Sequence, residues 1–350
     1  MGDDRSRHAE HGGKPNPVLD ALSTAVAAIR ADDDAIALAK AHKSLSPKPI
    51  EKLGVAEARQ QPTIADAVKA LLEQQGRSTN PESLVPGVHT EMMWVDGAEG
   101  ALPATVYRPS GGAERLPVIL YFHGGGWVIA NREVYDAGAR GLAKEAHAIV
   151  VSVDYRQAPE HPFPAAWDDA LAAYRWLTTK AASLGGDPER LGLAGESAGG
   201  NLAVATAIAA RDAGLRKPLH VLAVYPVAQT SLNTESYLEN AIAKPLNRAM
   251  VKWFVDHLIR SENDLRDPRL ALVDARLNGL PPTTIINAQL DPLRGDGAKL
   301  EAALRKVGVP VERREYDSVA HEFFGCAAVL QKAREAQAYA GARLRESLNG

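Results

Sequence analysis

Short, almost continuous apolar runs predict buried strands in this chain, and they alternate with longer segments whose apolar residues recur with helical spacing. The predicted strands span residues 88–95, 103–108, 118–122, 149–153, 191–195, 219–225, 283–288 and 310–316. The predicted helices among them span residues 136–147, 165–182, 198–213, 296–307 and 327–347. Alternation of this kind predicts an α/β fold, with a mostly parallel eight-stranded sheet flanked on both faces by helices.

The region before the first strand has a helical pattern. Residues 1–16 are polar, and we expect them to be disordered. The apolar residues of a first helical face are Val18, Leu19, Leu22, Val26 and Ile29. After a Ser- and Pro-containing break at residues 44–49, a second amphipathic helix is indicated by Ile64, Val68, Leu71 and Leu72. We therefore predict an N-terminal helical segment over residues 17–84.

A stretch from residue 229 to residue 280 interrupts the alternation. It is polar and helical, and it contains an amphipathic segment around Met250–Phe254. We interpret this stretch as a lid inserted after a strand of the sheet. The main domain then consists of residues 85–228 and 281–350.

The pentapeptide Gly195–Gly199, with the sequence Gly-Glu-Ser-Ala-Gly, follows an apolar strand and precedes an alanine-rich helix. A Gly-x-Ser-x-Gly turn in that context is the nucleophile elbow of an α/β hydrolase. Glycines two residues before and after Ser197 suit a turn too tight for side chains. The new helix directs its first N–H groups toward the serine, as a developing oxyanion requires.

A second motif strengthens this interpretation. The apolar run 118–122 is followed at once by His123–Trp127, which contains three consecutive glycines. Glycines expose backbone N–H groups and let a ligand approach closely. After a strand, and upstream of a serine elbow, they resemble the second half of an oxyanion hole.

A serine nucleophile needs a histidine base oriented by a carboxylate, in the chain order Ser, acid, His for this fold. His321 lies between the last strand and the last helix, where the base of the fold belongs. His220 is interpreted as a hydrogen-bonded residue at a strand start, and His257 as a solvent-facing residue of the lid. The sequence after His321 lacks the second histidine of a zinc-binding helix, so we expect no metal site.

The acid is predicted at Asp291, which directly follows the strand over 283–288. The next residue is proline, which holds Asp291 in an extended conformation. Asp296 is the nearest alternative, but it resembles a carboxylate at a helix N-terminus. Asp317 is a weaker alternative near His321.

The composition of the chain argues against several classes of function. Hydrophobic residues make up 45% and charged residues 24% of the 350 positions, as in an ordinary globular protein. The net charge of −3 provides no basic field for nucleic acid or an anionic membrane. No apolar stretch is long enough to span a bilayer, and the N-terminus lacks the apolar run of a signal peptide, so we expect a cytoplasmic protein without membrane insertion. The single cysteine, Cys326, is interpreted as a buried, inert thiol.

Together these motifs resemble the hormone-sensitive-lipase-like family of α/β hydrolases, in its bacterial esterase branch. The resemblance extends over about residues 85–348, and its motifs stand in the family's order and spacing. They are His123–Trp127, Asp154–Ala166, Gly195–Ala203, Asp291–Arg294 and His321–Phe323. The departures are small. Glu196 stands where the family often has aspartate, Gln157 where it often has leucine, and Gly295 where it often has an acidic residue.

The resemblance implies an oxyanion hole formed by the N–H groups of Gly125, Gly126 and Ala198, with Gly124 supporting the turn. It also implies that the N-terminal helices and the lid form a cap over the acyl and alcohol pockets.

Residues next to these motifs are expected to shape the substrate pocket. They are His123, Trp127 and Glu196, and Trp127 is interpreted as part of the pocket wall. The segment Asp154–Ala166 is interpreted as a structural loop that buttresses the glycine turn.

We therefore predict a serine carboxylesterase that hydrolyses a small-molecule ester through an acyl-enzyme, without a cofactor. The resemblance favours short- to medium-chain acyl groups. An amidase or peptidase with the same triad is the closest alternative, although no peptide-binding domain is indicated. A non-catalytic small-molecule receptor on this fold would have a broken triad, and a lipase acting at lipid interfaces would have a long exposed apolar segment. These patterns are compatible with a homodimer.

Overall fold

A computed structural model describes residues 32–111 and 115–349 of the chain. The expected disorder of residues 1–16 and the helical face from Val18 to Ile29 lie outside the described residues. Within the described ranges, no helix has the length and apolar character needed to cross a membrane.

The described residues form one eight-stranded sheet. Its strands are β1 Val88–Asp96, β2 Ala101–Pro109, β3 Leu116–Phe122, β4 Ile149–Val153, β5 Gly186–Glu196, β6 His220–Val224, β7 Thr283–Leu290 and β8 Val311–Ala320. The spatial order is β1-β2-β4-β3-β5-β6-β7-β8. The pairs β1–β2 and β2–β4 are antiparallel, and all later neighbours are parallel. The predicted α/β-hydrolase fold is confirmed.

Helices cover both faces of this sheet. They are α1 Asp33–Ser44, α2 Val55–Ala58, α3 Ile64–Gln74, α4 Pro81–Leu84, α5 Asp136–Ala146, α6 Ala165–Lys180, α7 Ala198–Asp212, α8 Glu235–Glu239, α9 Arg248–Leu258, α10 Arg294–Lys306 and α11 Gln331–Asn349. One core cluster contains side chains of α6, α7 and α10, and the other contains side chains of α1, α3, α5 and α11. Along β3, Leu120 belongs to the first cluster and Tyr121 to the second, because successive strand residues point to opposite faces.

The N-terminal segment contains helices α1 to α4. Helix α3 begins with a capping box, in which Thr63 Oγ1 accepts from the N–H of Asp66 at 3.2 Å and Asp66 Oδ2 accepts from the N–H of Thr63 at 2.9 Å. Its residues Val68, Leu71 and Leu72 are buried, as their spacing predicts.

The segment between β6 and β7 contains α8 and α9. The side chain of Asn247 caps α9 by accepting from the N–H of Met250 at 2.8 Å. Trp253 on α9 donates from Nε1 to the carbonyl oxygen of Leu53 at 3.1 Å, so this segment contacts the N-terminal one. The proposed limits of both cap segments, 17–84 and 229–280, stay predictions.

Some element boundaries differ from the predicted ones, chiefly near the end of the chain. Strand β8 continues to Ala320, which pairs with Leu290 beyond an irregularity in the β7–β8 ladder. Helix α11 begins at Gln331, and a separate 3₁₀ helix over Phe323–Cys326 precedes it. The longer strand places His321 directly after a sheet strand.

Candidate active site

Ser197 lies on a tight turn between β5, which ends at Glu196, and α7, which begins at Ala198. Its backbone has φ 58° and ψ −118°, a conformation that is strained for a residue with a side chain. A Cβ on Gly195 would lie 2.1 Å from the carbonyl oxygen of Gly199, so a side chain there would require the turn to open. The close packing of backbone explains the glycines of the motif.

The structure brings Ser197, His321 and Asp291 into one chain of hydrogen bonds. His321 Nε2 lies 3.0 Å from Ser197 Oγ, and His321 Nδ1 lies 2.7 Å from Asp291 Oδ2. The other carboxylate oxygen of Asp291 accepts from the N–H of Leu293 at 2.8 Å. Asp291 is fully buried, so its orientation is fixed. This arrangement allows an imidazole to take a proton from a serine hydroxyl.

The environment of His321 favours its charged form. Burial alone would disfavour the imidazolium, but the charge of Asp291 and its hydrogen bond outweigh burial, so the pKa of His321 is raised. The ring of Tyr225 packs against the imidazole, with ring centroids 4.5 Å apart. The imidazole of His321 is therefore held by its bond to Asp291 and by packing against the ring of Tyr225.

The two alternative acids lie in different environments. The buried carboxylate of Asp296 accepts from the backbone N–H of Ala228 at 2.9 Å and from Nε2 of Gln229 at 2.9 Å, and burial raises the pKa of Asp296 to about 7. Asp296 lies in the first turn of α10, as predicted, and its carboxylate also bonds to the segment after β6. Asp317 is exposed and forms an ion pair with Lys332 at 2.8 Å.

The two alternative histidines have structural partners. His220 is bonded to Ser347 Oγ at 2.9 Å and to Thr284 Oγ1 at 3.0 Å, and burial lowers the pKa of His220 to about 4. His257 Nδ1 lies 2.8 Å from the carbonyl oxygen of Trp253, and the side chain is only partly buried. Among residues 32–111 and 115–349, no group of three or more His, Cys, Asp or Glu side chains could hold a metal ion.

The glycine turn follows β3 and borders the same cavity as Ser197. Gly125 and Gly126 adopt φ values of 97° and 60°, which favour glycine. The turn is closed by bonds from the N–H groups of Val128 and Ile129 to the carbonyl oxygen of Gly125, at 3.1 and 3.0 Å. None of the hydrogen bonds among the described residues uses the backbone N–H of Gly125, Gly126 or Ala198. A Cβ on Gly124 would lie 2.3 Å from the hydroxyl of Tyr135.

The segment Asp154–Ala166 packs behind the glycine turn. The hydroxyl of Tyr155 donates to the carbonyl oxygen of His123 at 2.9 Å, and the N–H of Ala158 donates to the carbonyl oxygen of Trp127 at 2.9 Å. Asp154 also forms an ion pair with Arg132. These contacts match the predicted structural role of this segment.

His123 supports the turn through its ring, and its assignment to the substrate pocket stays a prediction. Its side chain borders the larger cavity described below but exposes no surface, and it stacks on Tyr155 with centroids 4.4 Å apart. Nδ1 lies 2.7 Å from the carbonyl oxygen of Gly124. Burial lowers the pKa of His123, so the ring acts as a neutral hydrogen-bonding group.

Glu196 lines neither of the two cavities described below, so the prediction that it lines the pocket is wrong. Its carboxylate accepts hydrogen bonds from the hydroxyls of Tyr121 and Tyr225, and only 1% of the residue is exposed. Burial raises the pKa of Glu196 to about 7. The side chain turns into the sheet beneath the elbow because these hydroxyls are its partners there.

Two cavities meet at His321. The smaller one is mainly apolar and contains Ser197 and Trp127, together with side chains of the segment after β6, including Val227, Leu232, Leu246, Val251, Phe254 and Leu258. The larger one lies between the N-terminal segment, the glycine turn and residues 318–323. Trp127 therefore borders the cavity, as expected, although the oxyanion and pocket roles of individual residues stay predictions.

A family model described as the alpha/beta hydrolase fold matches residues 119–325. Carboxylesterase NlhH of Mycobacterium tuberculosis is 40% identical to this chain, over 82% of the chain and 92% of that protein. The chain belongs to the hormone-sensitive-lipase-like family of α/β hydrolases. Esterase LipI of the same organism is 36% identical, over 82% of this chain and 91% of its own length.

Solved structures agree with this membership. An esterase of Pyrobaculum calidifontis has 33% identity and a TM-score of 0.78, covering 87% of this chain and 97% of its own. An ester hydrolase from the metagenome of Lake Arreo, complexed with a bipyridine phosphonate derivative, has 31% identity and a TM-score of 0.80, covering 91% of this chain and 100% of its own.

Several residues around the site had no role in the sequence-based prediction. Tyr225 contacts His321, Tyr135 contacts Glu322, and Phe254 faces the glycine turn. The position of Tyr225 just after a strand was a usable signal, because strand ends meet at the site in this fold. The amphipathic segment around Met250–Phe254 marked the helix that carries Phe254, but no local signal marked its contact with the glycine turn.

Proposed function

We propose that this protein is a serine carboxylesterase that hydrolyses short- to medium-chain esters of small alcohols. The observation that carries the proposal is the continuous chain from Ser197 Oγ through His321 to Asp291, with bonds of 3.0 and 2.7 Å. Ser197 and His321 line a mainly apolar cavity, which suits the acyl chain of a neutral ester better than a charged peptide.

The first half of the reaction forms an acyl-enzyme. Ser197 Oγ attacks the ester carbonyl while His321 Nε2 takes the hydroxyl proton, and Asp291 stabilises the resulting imidazolium. The carbonyl oxygen becomes an oxyanion, for which the N–H groups of Gly125 and Gly126 are the proposed donors, with that of Ala198. As the tetrahedral intermediate collapses, the bond to the alcohol oxygen breaks and His321 returns the proton to that oxygen.

The second half restores the enzyme. Water attacks the acyl carbonyl, His321 takes one of its protons, and the bond to Ser197 Oγ breaks with proton return to the serine. The products are one carboxylic acid and one alcohol, so water is the only co-reactant. The residues of the chain supply the base and the proposed oxyanion donors.

The proposal is tested by a panel of 4-nitrophenyl esters with acyl chains of graded length, measured with matched anilides. We expect ester hydrolysis, with the best kcat/KM at short to medium chains and much slower anilide cleavage. Ser197→Ala should fold normally by circular dichroism but lower kcat roughly 10⁴- to 10⁶-fold. A folded variant with near-normal esterase activity would overturn the proposal. Preferential cleavage of the anilides would instead support the amidase alternative.

Covalent labelling gives an independent test. A sulfonyl fluoride should modify Ser197 and abolish activity, and peptide mapping by mass spectrometry should locate the adduct. An adduct on a different serine, with the loss of activity following it, would contradict the assigned nucleophile.

A further inference from the structure

Glu322, the residue after His321, holds an unfavourable backbone conformation. Its φ is 65°, in the left-handed region that glycine adopts without strain. A side chain at such a position is unusual, and backbone strain of this kind concentrates at functional sites. The side chain kept at this position is a carboxylate beside the proposed catalytic base.

A buried tyrosine holds this carboxylate in place. The hydroxyl of Tyr135 donates to Glu322 Oε1 at 3.0 Å. The same hydroxyl packs against Gly124 of the glycine turn, where an added Cβ would lie 2.3 Å away. Glu322 is therefore fixed between the histidine and the glycine turn.

Glu322 borders both cavities, and it dominates the charge of the smaller one. Among the described residues that line the cavity around Ser197, the only other ionisable side chain is that of His321. The larger cavity also has basic side chains, of which Arg59 and Lys48 are paired with Glu160 and Glu57. A substrate group beside the serine therefore meets one fixed negative charge in mainly apolar surroundings.

The reaction places the alcohol part of an ester near this charge. The alcohol oxygen must come within hydrogen-bond reach of His321 Nε2, because that atom returns the proton to it. Glu322 is the next residue along the chain and shares both cavities with His321. An attraction between unlike charges is stronger in a partly desolvated cavity than in bulk water.

We propose that Glu322 is a specificity-determining residue, which selects esters whose alcohol part carries a cationic group near the ester bond. This inference rests on the proposed esterase activity and names the alcohol class that the site prefers. An anionic group at the same place would be repelled.

Two esters of the same shape test the proposal: butyrylcholine and its neutral isostere 3,3-dimethylbutyl butyrate. We expect the ratio of their kcat/KM values, choline ester over neutral ester, to fall about tenfold in Glu322→Gln. Glutamine keeps the side-chain shape and an acceptor for Tyr135 but removes the charge. The exposed Glu73 on α3 lies outside both cavities, so Glu73→Gln is a control with the same change in net charge and an unaltered ratio.

Glu322→Gly is a second variant, which removes the carboxylate and also relieves the positive φ. It also leaves the Tyr135 hydroxyl without its acceptor, so its folding is checked by circular dichroism, and it should show the same fall in the ratio. An equal ratio in the parent, Glu322→Gln and Glu322→Gly would overturn the proposal, as would an equal loss for both esters. If the parent hydrolyses neither these esters nor the 4-nitrophenyl esters, the proposed esterase function itself fails.

Discussion

Asp296 is bonded to Gln229 through both oxygens of its carboxylate. Oδ1 accepts from Gln229 Nε2 at 2.9 Å, and Oδ2 accepts from the backbone N–H of Gln229 at 3.3 Å. Gln229 lines the apolar cavity, and its Oε1 accepts from Lys299 Nζ at 2.7 Å. Asp296 therefore holds a wall of the cavity, whereas Asp291, five residues earlier, contacts the imidazole.

This difference predicts distinct kinetic effects for the two acids. Asp291→Asn offers the wrong partner to His321 Nδ1, so kcat should fall by up to about 10⁴. Asp296→Asn turns an amide group toward N–H donors and leaves one of them without its acceptor, at a cost of about 1–3 kcal/mol of stability. The KM of Asp296→Asn should rise by a larger factor than its kcat falls. Steady-state kinetics at one pH and urea unfolding of both variants measure these quantities.

Asp317→Asn is the matched control, because this exposed acid is paired only with Lys332 among the described residues. It should leave kcat and KM close to those of the parent. Inactive Asp296→Asn with active Asp291→Asn would show that the acid of the triad has been misassigned.

The positions of the three residues of the proposed triad were predictable because each follows a strand of the sheet. Ser197 follows β5, Asp291 follows β7 and His321 follows β8, and these strands belong to the parallel run β5-β6-β7-β8 of the sheet. The carboxyl ends of parallel strands share one edge of a sheet. Short motifs at strand ends therefore indicate which residues can meet.

The partners of Glu196 were not predictable in the same way. Tyr121 lies on β3 and Tyr225 follows β6, and β3 and β6 flank β5 only because of the spatial strand order. That order arises from crossover connections and is not encoded in local spacing. The buried positions of Glu196 and Asp296 likewise depend on contacts between distant segments, so the sequence indicated only a pocket role for Glu196 and a helix-end role for Asp296.

Esterase activity should rise with pH as His321 loses its proton. The base must be neutral to accept the serine proton, and the environment raises the pKa of His321. The midpoint of the kcat/KM profile is therefore expected above the ordinary histidine value of about 6.5. Asp291→Asn removes the charge that raises this pKa, so the residual activity should have a lower midpoint. An unchanged midpoint in Asp291→Asn would contradict this electrostatic assignment.

Glu196 should make the folded state less stable at high pH. Burial raises the pKa of Glu196 from 4.5 to about 7, so the native state retains a proton that the unfolded state releases between these values. The unfolding free energy therefore decreases as pH rises through this window, and the contribution stays lost above pH 7.

Glu196→Gln removes this titration. Relative to that of the parent, the free energy of unfolding of Glu196→Gln should be higher at pH 8 than at pH 5, by up to ~3 kcal/mol, so the variant gains relative stability at high pH. Urea unfolding of both proteins at the two pH values gives the difference, and the other titrating groups, including Asp296, largely cancel because both proteins contain them. The same difference at both pH values would show that Glu196 is ionised in the native state throughout.

The inserted segment should affect catalysis through one contact, between Gly126 and Phe254. Gly126 has φ 60°, and a Cβ on it would lie 2.2 Å from Cγ of the Phe254 ring. Gly126→Ala should displace the glycine turn, and loss of one oxyanion donor lowers kcat by about 10²–10³. Phe254→Ala removes the obstructing ring, so the double variant should recover part of this loss. The remaining deficit reflects the left-handed backbone, which disfavours alanine.

A double-mutant cycle on kcat measures the coupling between these two positions. Leu232→Ala provides the matched control, because Leu232 lines the same cavity but is not among the three nearest contacts of a Cβ on Gly126. Combined with Gly126→Ala, it should give no recovery, since widening the cavity alone leaves the Phe254 ring in place. Additive losses in the Gly126–Phe254 cycle would mean that the ring does not limit the turn. Recovery in the double variant with Phe254→Ala, but not in the one with Leu232→Ala, would show that the Phe254 ring restricts position 126 to glycine.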